Sequence, residues 1–387
     1  MQARGLQVRS VMMAALALAF FVSARAGIGT GSPCAAPPRT TKVANVKNLK
    51  YGARGDGVTD DTAAIQKAID AIAGTGGTVT IPKGIFMINA VARNGRSGLS
   101  LGSDMSLRLD PDAILKALPN PAQEYSILLV SGAHDVNIIG GTLEGDRSTH
   151  RGTEGEWGMG LQISRSRQVV VAGVTARECW GDGFYVANAS SGITFCQVVA
   201  DHNRRQGLSI VSGDGILVKD STFTNTQGTD PACGIDVEPN DGKTVSNLVI
   251  TDCTVTNNAG GGIAGGPPYT KRKAAFFTGS RFSHNVVTGN KAAGIIISAC
   301  DGDIIENNTI GSTEGYGVLL RSEALRMVVT GNTITGSTKD GIYLEDCAGT
   351  VVTGNKVSGN AGHGINQVSG CGAKVEGNLV SGNGKKP

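Results

Sequence analysis

The sequence predicts an all-β fold, a right-handed parallel β-helix of about ten turns with an N-terminal capping helix. Three observations predict it. Glycine supplies 57 of the 387 residues, and aromatic residues only 4%. That is about twice the ordinary glycine share, so the chain is rich in turns rather than a coiled coil or helical bundle. Second, two markers recur in phase. An Asn slot occurs at Asn308, Asn332, Asn355 and Asn378, at spacings of 23 or 24 residues. A Gly followed by a short apolar run occurs at Gly183, Gly207, Gly234, Gly262, Gly294, Gly317, Gly341 and Gly364. Third, the units alternate Ile or Val with polar residues and leave no room for a helix. A short repeat of strands alone reads as one turn of a solenoid.

Taken in order, residues 1–26 read as a secretory signal peptide: Arg4 and Arg9, an apolar run at 11–22, and Ala24-Arg25-Ala26 before Gly27. A secreted or periplasmic protein without a membrane span follows. The formal net charge of +3 comes entirely from three arginines in that segment. The remainder is neutral, which gives no field to attract nucleic acid or anionic lipid. Residues 27–42 form a Pro-rich lead-in. Residues 43–384 are expected to be a single β-helix domain and a monomer. In it, Thr59-Asp60-Asp61 offers helix caps, and Ile65, Ala68, Ile69 and Ile72 line one helical face that would cover the open end of the solenoid.

Traced backward, the Asn slot falls on Asn285, Cys253, Ser221, Cys196, Gly173 and Gly141. Stacked at roughly 4.8 Å per turn, the Asn side chains would form an amide ladder, a structural device without chemistry. Eight Cys permit disulfides in an oxidising compartment, with free buried thiols an equal alternative. Cys347 and Cys371 are one turn apart and can bond; Cys196 and Cys253 are two turns apart and cannot. No C-x-x-C pair suggests zinc.

Residues 48–70, Asn-Leu-Lys-Tyr-Gly-Ala-Arg-Gly-Asp-Gly-Val-Thr-Asp-Asp-Thr-Ala-Ala-Ile-Gln-Lys-Ala-Ile-Asp, followed by Gly-Gly-Thr-Val-Thr-Ile-Pro-Lys-Gly at 76–84, resemble the opening of the pectate-lyase-like β-helix superfamily. The resemblance implies a polysaccharide lyase, a polygalacturonase-type hydrolase or a mannuronan epimerase. It also implies that Asp56, Asp60 and Asp61 belong to a cap. Residues 201–212 resemble a turn of the secreted mannuronan epimerases. Their Asp-Pro-His segment is absent, because the comparable turn reads Gly183-Phe-Tyr-Val-Ala-Asn188. The polygalacturonase signature set is absent as well.

Function in a solenoid falls to outward strand residues and inserted loops, because inward residues share one stacked core. Three long intervals carry insertions at 144–159, 226–233 with 239–244, and 264–275, which are expected to wall a groove. If Ile235 and Val237 face inward, Asp236 and Glu238 face out. Tyr185, Ser209 and Asp236 then form one column. Catalytic candidates are Asp236, Glu238, Tyr185, His202 and Arg205. Substrate-binding candidates are Asp182, Trp157, Trp180, Lys271 and Arg272. The competing readings are a solvated strand face for the acids, a loop anchor for each Trp, and a solvated tip for the basic triplet 271–273. Asp236 and Glu238, with Cα atoms roughly 6.7 Å apart, suit an inverting glycoside hydrolase. The basic loop favours β-elimination on an acidic, uronate-containing polysaccharide, with hydrolysis, epimerisation or a non-catalytic adhesion module as alternatives. No metal ligand set is complete, although Ca2+ at Asp236, Glu238 and Asp241 has suitable oxygen chemistry.

Overall fold

The computed structural model describes residue 34 and residues 40–240, 242–266, 277–368 and 370–385. The signal-peptide and lead-in expectations, Asp241, Lys271 and Arg272 therefore lie outside the described residues or, for the lead-in, almost wholly so.

Three rows of parallel strands stack along the solenoid. The first face begins at Ser97–Leu101 and runs through Trp157–Ser164, Phe184–Ala187, Leu208–Ile210 and Ile235–Val237 to Ile365–Gln367. The second runs from Val43–Asn45 to Lys374–Glu376. The third holds thirteen strands, Asp56–Asp60 to Leu379–Ser381, and so defines about twelve turns. This exceeds the expected ten. The first turns, in which Ile85, Ile114 and Thr142 stack, lack the Gly and Asn markers and carry longer apolar strands instead.

Every turn buries the alternate residues of its strands. Phe184, Leu208, Ile235, Ile263 and Ile295 stack in register on the first face and are fully buried. The recurrent Gly precedes each of these positions for a steric reason. A Cβ on Gly234 would stand 2.4 Å from Val255 Cγ1 and 2.9 Å from the Gly262 carbonyl oxygen. Only a residue without a side chain lets the turn pass so close to its neighbours.

The Asn ladder is present. Asn308 Nδ2 donates to Asn332 Oδ1 at 2.9 Å, Asn332 Nδ2 to Asn355 Oδ1 at 2.9 Å, and Asn355 Nδ2 to Asn378 Oδ1 at 2.9 Å. Its earlier slots are Val198 and Val174, not Cys196 and Gly173, because Ser221 Oγ accepts from the Val198 N–H and Val174 stacks beneath Val198. A second ladder escaped the sequence reading. Asn258 donates to Asn290, and Asn360 to Asn383, at the turn on the other side of the third face. Its signal was an Asn four residues before a Gly marker, at Asn203, Asn258, Asn290 and Asn360, hidden because Thr226, Thr313 and Ser337 interrupt it.

The helix Thr62–Ile72 buries Ile65, Ala68, Ile69 and Ile72 as expected. Asp61 stands at the N-cap position without a side-chain cap bond, because it holds the Arg54 and Gly55 N–H groups, and Asp60 Oδ1 accepts from Thr62 N instead. Buried Gln66 donates to and accepts from the backbone of Ser100, acting as one more strand on the open edge of the first face. The disulfides are Cys347–Cys371, as the spacing allowed, and Cys34–Cys196. Cys179, Cys233, Cys253 and Cys300 are buried free thiols. Among the described residues, no helix is long and apolar enough to cross a membrane.

Candidate active site

The site is built on four consecutive turns of the first face. Strand pairing stacks Gln162, Tyr185, Ser209 and Asp236 as one outward column. The Glu238 N–H donates to the Ile210 carbonyl at 3.0 Å, which continues the strand by one residue and keeps Glu238 on the same face as Asp236. Arg205 sits in the turn before Leu208–Ile210, its N–H donating to the Gly181 carbonyl at 3.1 Å.

The Arg205 guanidinium organises the acids. Nη2 donates to both oxygens of Glu238 at 3.0 and 3.2 Å, Nη1 to Asp182 Oδ2 at 3.3 Å, and Nε lies 3.7 Å from Glu156. Ser209 Oγ donates to Asp182 Oδ2 at 2.8 Å. Gln206 Nε2 donates to Asp236 Oδ2 at 2.8 Å, and its Oε1 accepts the Cys233 N–H at 2.7 Å, which fixes the amide orientation. Three carboxyl groups thus surround one cation, and Asp236 is held beside them by Gln206.

Burial decides their protonation. Asp236 is 6% exposed, and burial, reinforced by the Glu238 charge, raises it well above the usual carboxylate range. Glu238 is raised too, by burial, but Arg205 opposes the shift through its charge and its hydrogen bonds. Asp182 is fully buried, and burial raises it to about 7. Burial and the neighbouring Asp182 and Glu238 push the Tyr185 phenol up to about 12. For Arg205 burial works against the charge, yet Asp182 and Glu238 outweigh it and keep the guanidinium protonated.

Two clefts, about 490 and 480 Å3, meet at Arg205 and Glu238. Glu124, Trp157 and Tyr185 line the first; Asp230, Asp236, Ile296 and Arg321 line the second. Residues from the insertions at 144–159, 226–233, 239–244 and 264–275 line one cleft or the other, in agreement with the expected groove.

The structure brings Asp236, Glu238, Tyr185, Arg205 and Trp157 together on this groove. It corrects three other assignments. Asp182 has no exposed surface, so it positions Arg205 and Ser209 rather than meeting a sugar. Trp180 is a loop anchor. His150 stacks on its ring at 4.0 Å, the Arg204 guanidinium lies 3.8 Å from its centroid, and its Nε1 is buried. His150 and Tyr125 in turn bond Asp146, which ties the 144–159 insertion to the barrel wall. His202 sits at the left-handed turn after Val199–Asp201, paired with Asp201 at 2.8 Å, and lines neither cleft. Of the suggested calcium ligands, Glu238 already has the Arg205 guanidinium as its counter-charge, and Asp236 is bonded by Gln206. Sequence reasoning missed Glu156 and Gln206. Gln206 precedes Gly207 as Asp182 precedes Gly183, so the shared slot was readable.

The fold and the groove define a right-handed parallel β-helix with a carboxylate-lined cleft on one face. The chain belongs to the family described as the right handed beta helix region, which matches residues 83–267 and 231–380. Residues 43–95 match the family described as rhamnogalacturonase A/epimerase, pectate lyase-like. The chain is 28% identical over 66% of its length, and 47% of the relative's, to the SPbeta prophage-derived uncharacterized protein YorA of Bacillus subtilis. It is 31% identical over 47% of its length, and 33% of the relative's, to mannuronan C5-epimerase AlgE4 of Azotobacter vinelandii. The solved A-module of that epimerase superposes with a TM-score of 0.77 at 21% identity, covering 89% of this chain and 97% of the module. The exo-poly-alpha-D-galacturonosidase of Dickeya chrysanthemi is 32% identical over 58% of this chain and 34% of its own length. The chain spans about half the length of the first curated relatives it matches.

Proposed function

We propose that this chain is a carbohydrate-active enzyme that hydrolyses a glycosidic bond of a polysaccharide with inversion. Asp236 is the general acid and Glu238 the carboxylate that activates water. The single observation that carries the reading is the difference between the two carboxyls. Asp236 is buried and has no cation bonded to it, which favours its protonated form. Gln206 occupies Oδ2 as a donor, which leaves Oδ1 to hold that proton toward the leaving oxygen. Glu238 lies against Arg205, which stabilises its anion. A protonated acid beside an ionised base, two residues apart on one strand face, is what an inverting hydrolase requires.

The relatives named for action on mannuronan and polygalacturonate support a polysaccharide as the substrate. Trp157, 43% exposed at the cleft wall, offers an apolar face to a pyranose ring. Elimination is supported by the basic triplet at 271–273, but it needs a base. A phenol at about 12 is a scarce anion, Arg205 is committed to carboxylates, and His202 is paired with Asp201 and lines neither cleft. The two disulfides support an extracellular or periplasmic site of action.

The test is incubation with acidic and neutral polysaccharides while following reducing ends, unsaturated-product absorbance and uronate composition. Hydrolysis yields new reducing ends of inverted anomeric configuration without absorbance. New absorbance would establish a lyase instead, and altered composition without new ends an epimerase. No change on any polymer would leave the adhesion module.

A further inference from the structure

Aromatic residues are scarce in this chain, and the large ones that fill the core are phenylalanines and Tyr125. The aromatic side chains left partly open to solvent fall largely on one face. Trp157 and Tyr185 line the groove. Tyr316 and Tyr343 lie farther along the same face, their rings 4.8 Å apart at 42°. Pairing continues the Asp236 column through Ala264, Ile296 and Leu319 to Tyr343. The Tyr pair is thus about four rungs, roughly 19 Å, from the acid.

Beside it stands Arg321. Pairing continues the Glu238 column through Ser298 to Arg321, three rungs or roughly 14 Å along. Its side chain is exposed at the end of the second cleft. Among the described residues it has no ion-pair or hydrogen-bond partner. Several outward arginines elsewhere along the solenoid are neutralised by an adjacent rung, as Arg177 is by Glu144 and Arg281 by Glu306, whereas Arg321 is not. An unpaired guanidinium beside a tilted tyrosine pair, in line with a cleft, combines a stacking surface for a sugar ring with a fork for a carboxylate.

We propose that Arg321 with Tyr316 and Tyr343 forms a distal subsite that binds a uronate residue of the same extended polysaccharide whose bond is cleaved at Asp236 and Glu238. The proposal rests on the hydrolase reading only for the identity of the polymer being cut. An extended pyranose chain advances by about one rung per residue, so the uronate bound here lies about three sugars from the bond that breaks. The consequence is selection for an acidic polymer at a distance from a carboxylate-rich centre that would repel a uronate directly.

The test is binding, without turnover. The full chain and its Arg321→Gln, Arg321→Lys and Tyr343→Ala variants are run in affinity electrophoresis against polygalacturonate, polymannuronate and their carboxyl-reduced counterparts. The expected result is tighter retention by at least one polyuronate than by its reduced form, by about tenfold. Arg321→Gln loses that discrimination, Arg321→Lys keeps part of it, and Tyr343→Ala weakens retention by both forms alike. Equal retention of the polyuronate by wild type and Arg321→Gln, or no retention of either polyuronate by wild type, overturns the subsite. Retention that depends on Arg321 in a protein that cleaves nothing would keep the subsite and sink the hydrolase reading. Cleavage that ignores Arg321, with equal retention, would do the reverse.

Discussion

The turns from about residue 285 to 383 and the turns from about 144 to 266 have the same backbone path but differ in how regularly their buried amides repeat. In the C-terminal turns the buried amides are repeated and satisfied. Asn332 receives from Asn308, donates to Asn355 and also donates to the Ile305 carbonyl. In the middle turns the ladder slots are interrupted by Ser221, Val198 and Cys179, loops are inserted, and buried polar atoms without partners occur there as they do at Asp303 and Ser337 in the C-terminal turns. Asp182 Oδ1, Trp180 Nε1 and His150 Nε2 are examples among the described residues. Stacked identity satisfies itself, because each amide offers one donor and one acceptor along the solenoid axis. The proposed site falls where that identity is broken, since a proton or charge held out of its ordinary state needs an environment that no repeat supplies.

The largest expected effect tests the middle turns. Asp236→Asn and Glu238→Gln should each lower turnover by about 10²–10⁴-fold, measured by release of reducing ends, with unchanged folding by circular dichroism. A residual rate near wild type for both would remove the acid–base pair and the comparison with it. The next effect tests the C-terminal turns. Asn332→Ala removes the acceptor of the Asn308 N–H and one of the two acceptors of Asn308 Nδ2 and should cost about 1–3 kcal/mol in denaturant unfolding, while turnover of the folded fraction stays unchanged.

A third prediction sharpens the contrast, because Asp303 is a charge problem outside the groove. It is fully buried, Oδ1 holds the Ser280 N–H, and Oδ2 has no partner among the described residues. Burial raises it to about 7 from 3.8. The folded state therefore binds more protons than the unfolded state between those values, so stability falls as pH rises from about 4 to 7. Asp303→Asn should raise the melting temperature at pH 8 and leave it nearly unchanged at pH 4. Equal shifts at both values would refute the assignment. The smallest effect concerns the groove wall. Trp157→Ala should raise KM about three- to tenfold with little change in kcat, because an exposed ring contributes only stacking and some apolar burial.

The readable and unreadable parts divide along the same line. Gly markers and the Asn308–Asn378 ladder were legible because each repeats a local requirement, close backbone approach or amide pairing, in every turn. The Tyr185–Ser209–Asp236 column followed from that register. Slots at Val198 and Val174 were misplaced because two degenerate turns carry no Asn to anchor the count. Trp180 and Asp182 resembled binding residues in sequence; the partners that bury them, His150, Arg204 and Arg205, arrive from other turns.

The sequence by itself determined the solenoid, its cap and the face on which the acids stand, because strand alternation and the repeat length dictate inward and outward positions without knowledge of any contact. Only the tertiary structure decided which acid stands against a cation, which Trp is exposed and that Arg321 stands unpaired at the cleft end. Those properties depend on burial and on charges a turn away, and stacking brings such residues within a few ångströms however far apart they lie along the chain.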